Sequence, residues 1–239
     1  MKLPNKIFGI DTKEAYKNFL DGISKSKEQE TKTQEQPQAQ NLEGFIYVPS
    51  IELYVAKERS HHNLDWYNTH KTIIPQGLRM PTPRETWELI FYLQDNLDNP
   101  ELKQVYDDIL KKTQTNDQHG EWQNAIFTQD KKGRYIQRVT GIDNRGLVLS
   151  QKERLEDHLE KDCLADITRS SINSQGLCTL ESALDSYHQG RNIYFSHPTA
   201  GAVARFIADS VRVYLICLGD PLDSDSDLGV RLVAQPHKK

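Results

Sequence analysis

The sequence predicts an α+β fold, with helices and strands gathered in separate runs rather than regularly alternating. Two observations carry this. Between residues 65 and 112, three stretches place apolar residues at helical spacing behind capping residues. Towards the C-terminus short β-rich runs take over, at Val203–Ala208, Val211–Cys217 and Val230–Val233. In the middle run Val211, Val213, Leu215 and Cys217 alternate with Arg212, Tyr214 and Ile216, the period of a half-buried strand. One side of that strand suits a core, and the other suits contact with something outside.

The first elements are an N-terminal helix and a linker. Asp11-Thr-Lys-Glu14 is a capping box, followed by Ala15, Phe19 and Ile23 at helical spacing, so a helix is expected over about 12–24. Residues 24–41 hold almost no apolar side chain and read as a linker or a solvated helix extension. The helix before them reads as a frayed N-terminal arm, with an element that meets an assembly partner as the alternative. Gly44–Val48 and Ile51–Ala56 read as a strand pair around Pro49-Ser50, with a polar loop over Lys57–Asn63. Asp65 caps a helix whose face holds Trp66, His70, Ile73 and Ile74 and which Pro75 and Gly77 end. Thr82-Pro83-Arg84-Glu85 combines a cap, a proline in the first turn and a capping-box glutamate, with Trp87, Ile90, Leu93 and Leu97 as the buried stripe. A third amphipathic helix starts at Asn99-Pro100 and runs to about Lys112, before a polar loop over Thr113–Gly120.

Glu121–Thr128 and Arg134–Ile142 are expected as strands. Ser150-Gln-Lys-Glu153 predicts a charged helix to about Lys161, with Asp157 and His158 facing solvent. Cys163–Gly176 reads as irregular, and Leu180, Ala183, Leu184 and Tyr187 as a short helix ended by Gly190.

The chain has 239 residues and a net charge of −4, enough for one domain with an extra segment and without the basic excess of a nucleic-acid binder. It contains neither an apolar run of membrane-span length nor a signal-peptide core, so a cytoplasmic or particle-associated protein without direct membrane insertion is expected. Cys163, Cys178 and Cys217 are odd in number and lack CxxC spacing, which fits a reducing compartment and neither a disulfide framework nor structural zinc. No P-loop, dinucleotide fingerprint or nucleophile elbow is present.

Gln76–Glu88, QGLRMPTPRETWE, resembles the G-x-R-L-P-T-x-x-E-W-E segment of C-type-lectin-fold proteins related to formylglycine-generating enzymes. Gly77, Arg79, Pro81, Thr82 and Glu85 match; Met80 replaces the Leu, and Trp87 stands one place late. Leu228-Gly229-Val230-Arg231 is similar to the G-F-R or G-V-R tail that closes that fold. Within it, the C-terminal stretch looks most like the variable proteins of diversity-generating retroelements. Their ligand-binding residues are rewritten by mutation at adenines of AAY codons, which never yields Lys, Glu, Gln, Met or Trp. Residues 191–234 contain none of these five.

The resemblance implies a C-type-lectin-like domain over 43–239, with 1–42 as N-terminal helix and linker and a variable segment at about 205–231. It implies a binding face of Ile207, Asp209, Arg212, Tyr214, Ile216, Leu218, Asp220, Asp223, Asp225 and Asp227 for a protein or carbohydrate ligand. Binding, not catalysis, is then the expected function. Two alternatives stand beside it. One is a formylglycine-generating oxidase, which the resemblance would equip with a copper-binding cysteine pair; here Cys217 stands alone on the inward side of its strand, and the G-N-V-W-E-W and R-G-G-S-W motifs are missing. The other is a structural or assembly protein.

No cofactor is expected. Asp223-Ser-Asp-Ser-Asp227 offers hard oxygens to a loosely bound calcium, but Leu228 and Ala234 stand where an EF-hand needs Gly and Glu, so an acidic solvated loop is favoured. His61, His62, Asp65 and His70 match no metal-site spacing and read as a surface cluster.

Overall fold

A computed structural model of the protein describes residues 42–110, 119–209 and 211–236, with the backbone of 6–7 and 10–11. It divides into two units, Met1–Asn41 and Leu42–Lys239. In the first, β1 (Lys6–Ile7) and β2 (Ile10–Asp11) pair antiparallel. The expected helix over 12–24 and the linker lie outside the described residues.

The second unit is a mixed α+β domain, mostly sheet with three helices among its described residues. It opens with the antiparallel pair β3 (Phe45–Val48) and β4 (Leu53–Ser60). β4 extends through Lys57–Ser60, expected as loop, because Arg59 and Ser60 pair with the C-terminal strand. In α1 (Trp66–Ile73) the Asp65 carboxylate accepts from the Asn68 amide at 2.7 Å. A 3-10 turn, Ile74–Gln76, follows, and Gly77 closes it in the left-handed region at φ 73°. Both hydrogen bonds of the Thr82–Glu85 capping box form at the start of α2 (Pro83–Gln94). α3 spans Pro100–Leu110.

The remaining strands are β5 (His119–Asp130), β6 (Gly133–Gln137), β7 (Val139–Asp143), β8 (Gly146–Leu149), β9 (Glu153–Arg154), β10 (Cys163–Asp166), β11 (Ala183–Leu184), β12 (Asn192–Ser196), β13 (Val203–Ala208), β14 (Val213–Gly219) and β15 (Leu228–Ala234). The main sheet runs β11-β10-β12-β14-β13-β5-β15-β4-β3, with β6 joining β5 to β9, while β7 and β8 pair separately.

Alternation along the strands divides the core between the two sheet faces. Leu53, Val55, Ala125, Phe127, Ala204, Phe206 and Val233 pack with Trp87, Leu89, Ile90 and Leu93 of α2 and with Val105 and Ile109 of α3. Trp122, Val203, Leu228, Val230 and Leu232 point the other way and pack with Trp66 and Ile73 of α1. That second face therefore has a helix over its β5–β15 end.

Five expectations are corrected. The helix over 150–161 is absent. The Ser150 hydroxyl accepts from the Arg138 amide at 3.0 Å instead of capping, and tertiary partners take the amides a helix needs. Leu155 donates to Arg134 O, Glu156 to Gln175 Oε1 and Leu159 to Cys178 O. This places His158 inside rather than facing solvent. The helix over 180–187 is replaced by a 3-10 turn, Leu180–Ser182, and by β11, which the edge of β10 captures in antiparallel register. Cys163–Gly176, expected as irregular, contains β10 and a 3-10 turn at Arg169–Ser171. The strand expected over 134–142 breaks at Arg138, where the buried Asn124 amide side chain takes both backbone groups of Val139.

The segment at 76–88 meets β15, the strand that carries 228–231. Arg79 and Val233 exchange backbone hydrogen bonds of 3.1 and 2.8 Å, and the Arg79 guanidinium grips Glu85 with two bonds of 2.6 Å. Arg231 is 1% exposed. It pairs with Glu121 at 2.8 Å and Asp108 at 3.1 Å, and donates to the carbonyls of Ala56 and Lys57. Burial opposes its charge, but the two carboxylates outweigh that and hold the guanidinium protonated.

Candidate binding face

β14 is built as its alternation predicts from Val213 onward. Val213, Leu215, Cys217 and Gly219 are buried; Tyr214 and Ile216 are half-buried and Leu218 is 44% exposed. Val211 departs from the pattern at 63% exposed, because it lies in the β13–β14 turn and not in the strand. The Asp209 carboxylate organises that turn, accepting from the Val211 and Arg212 amides at 2.7 Å each. Burial pushes the Asp209 carboxyl up, but those amides, the Tyr214 hydroxyl and the Arg212 guanidinium outweigh it and hold it below the usual carboxylate range.

Register extends this face to neighbouring strands. Tyr214 stands opposite Ile207 on β13 and Tyr194 on the parallel strand β12, and Tyr194 stands opposite Leu164 on β10. The Tyr194 and Tyr214 rings meet edge-on, with centroids 5.8 Å apart. Arg212 reaches over Tyr187, its Cζ 6.0 Å from the ring centre. Aromatic rings braced in this way offer contact area at little cost in ordering.

Ile207 belongs to the same row but is only 6% exposed, which corrects its expected place on the exposed face. The cause is Gly120, its partner on β5. A Cβ on Gly120 would lie 2.8 Å from Leu228 Cδ1 and 3.4 Å from Ile207 Cγ1, so both side chains close over the glycine.

Gly219–Asp227 borders the open area, and most of its aspartates hold the loop in shape. Asp220 accepts from the Leu222 amide at 2.9 Å, and Asp223 pairs with Arg205 at 2.7 Å. The Arg205 Cζ lies 5.4 Å from the Trp122 ring centre, which ties the loop back to the sheet. Asp227 receives the Ser226 hydroxyl, and its carbonyl accepts from Gly120 and Arg59. His62 Nδ1 donates to Ser226 O at 3.1 Å, and the Trp66 amide donates to Pro221 O at 3.0 Å. Asp220, Asp225, Asp227 and Leu222 remain exposed along the rim. Asp223 is half-buried and committed to Arg205, so its charge is already answered.

Tyr194, Tyr187, Leu164 and Arg205 were not among the expected binding residues. Ile193-Tyr194-Phe195 carries its own short alternation, a visible signal. That β12 lies parallel beside β14 follows only from the assembled sheet.

The two buried cysteines, Cys178 and Cys217, do not present nucleophiles. Burial pushes the Cys217 and Cys178 thiols well up, and a protonated thiol attacks poorly. Among the described residues, no group of three or more His, Cys, Asp or Glu is placed to hold a metal ion. His70 is buried against Trp66, which corrects its expected place in a surface cluster with His61 and His62. No helix of the described residues is long and apolar enough to cross a membrane. Compared with family models, with curated proteins and with solved structures, the chain matches none.

Proposed function

We propose that the protein recognises a protein or carbohydrate ligand through the open sheet face around β14, on a C-type-lectin-like scaffold, in the manner of a variable protein of a diversity-generating retroelement. The observation that carries this is the division of β14: alternate residues are locked in the core while Tyr214, Ile216 and Leu218 stand outward. Substitution outside then leaves the packing inside untouched, which is what a surface that must change its specificity requires. The absence of Lys, Glu, Gln, Met and Trp from residues 191–234 supports the same mechanism. The lectin-like plan draws support from the Arg79–Glu85 pair, the buried Arg231 and the closure of the C-terminal strand β15 against the β3–β4 hairpin.

Deep sequencing of the gene across a natural population tests this. Changes should gather at adenine positions in the codons of Arg212, Tyr214, Ile216 and Leu218, and skip those of Val213, Leu215, Cys217 and Ile207. Changes spread evenly over both sets, or an invariant segment, would remove the proposal's support.

A further inference from the structure

A cavity of about 500 Å³ opens between α1, the segment following it, β7 and the C-terminal strand. That is within the usual range for a small-molecule site. Ile74, Leu78, Val139 and Val233 form its apolar wall. His70 lies in the lining, itself buried, and neither ring nitrogen has a hydrogen-bond partner among the described residues. A native protein rarely leaves a buried imidazole unanswered at both nitrogens, because each lost bond carries a desolvation penalty. The Trp66 ring meets it edge-on at 4.4 Å and limits how far it can turn.

The other polar lining groups divide into committed and available. Arg79 and Glu85 satisfy each other, the Thr82 hydroxyl accepts the Glu85 amide, and Asn124 is spent on Val139. Arg138 is different. Its one carboxylate partner among the described residues, Glu153, holds Nη1 at 2.7 Å from a side chain that is 53% exposed. Such a partner is weakly held and exchangeable, and among the described residues the other guanidinium donors pair with no further carboxylate.

We propose that this cavity binds a small organic carboxylate, its apolar body against Ile74, Leu78, Val139 and Val233, its carboxylate on Arg138, and an N–H of the His70 ring as a further donor. The site is separate from the β14 face and does not depend on the function proposed for it.

Benzoate and hexanoate are suitable probes, with benzyl alcohol and 1-hexanol as their uncharged counterparts. Each is titrated into the full-length protein while the imidazole ¹⁵N resonances of His70 are followed. Both carboxylates, or the better-fitting one, should move those resonances saturably, and the alcohols should bind at least tenfold more weakly. Arg138→Gln should weaken the carboxylate by about tenfold or more, the worth of a charge-assisted bond. His70→Gln, retaining a donor, should bind more tightly than His70→Leu. Unmoved His70 resonances, alcohols that bind as well as the acids, or an indifferent Arg138→Gln would each overturn the proposal.

Discussion

Arg231 is buried, yet every direction in which its guanidinium points is answered: by Glu121, by Asp108 and by two carbonyls of β4. Removing it leaves Glu121, 3% exposed, as an uncompensated buried charge. Arg231→Ala should therefore cost about 3–5 kcal/mol, read as a lower urea midpoint with an unchanged slope. Arg231→Lys should recover little, since one ammonium cannot reach both carboxylates and both carbonyls. A loss below about 1 kcal/mol would refute this account of the residue. At this scale the sequence is a good guide where the physics is local. The Asp65 cap and the Thr82–Glu85 box need only neighbours a few residues away, and both form. Ile207 is misjudged because its burial depends on Gly120 and Leu228, residues remote in sequence. His70 is different: it shares a helix face with Trp66 and Ile73, so the helical spacing already pointed inward, against the surface cluster suggested by its neighbours His61 and His62.

At the level of elements, α2 shows how closely a loop can fit a helix. Gly176 has φ +87°, and a Cβ there would lie 2.2 Å from the Arg84 amide nitrogen, in the first turn of α2. Its carbonyl also accepts the Trp87 indole N–H at 3.0 Å. Gly176→Ala combines backbone strain with a clash against main chain, so it should destabilise by about 3 kcal/mol or more. Circular dichroism with thermal melting checks it, and an unchanged midpoint would rule the clash out. The helices between 65 and 110 were legible because amphipathic spacing and caps agree. The segments at 150–161 and 180–187 carry helical signals of the same kind and do not form helices. Backbone partners on Arg134, Gln175, Cys178 and the β10 edge outcompete a weak local preference.

For the whole molecule, two buried histidines, His70 and His119, should make stability fall on the acid side. Burial pushes His70 down to about 3 from an ordinary 6.5. Between those values the unfolded chain takes a proton that the native state refuses, so stability falls as pH drops below about 6.5. The slope from His70 approaches about 1.4 kcal/mol per pH unit. His119, lowered by burial and by Arg59, adds to it with the same sign. Asp162 and Asp209, both held below the ordinary 3.8, contribute only further down. Thermal midpoints should thus decline from about pH 6.5 to about pH 4.5, and His70→Gln should flatten the decline. Parallel curves for the two proteins would exclude His70 as the cause.

What the sequence by itself determined is local and periodic: three capped helices, the β3–β4 hairpin, and a C-terminal strand with one face for the core. These follow from side-chain spacing and from hydrogen bonds made within a few residues. Only the tertiary structure decided which outward positions stay open. It set β12 parallel beside β14, closed Leu228 and Ile207 over Gly120, committed Asp223 to Arg205, and placed His70 in a cavity wall. The reason is that burial on the far side of a strand is a property of whatever is packed there, and that neighbour is chosen by chain segments tens of residues away.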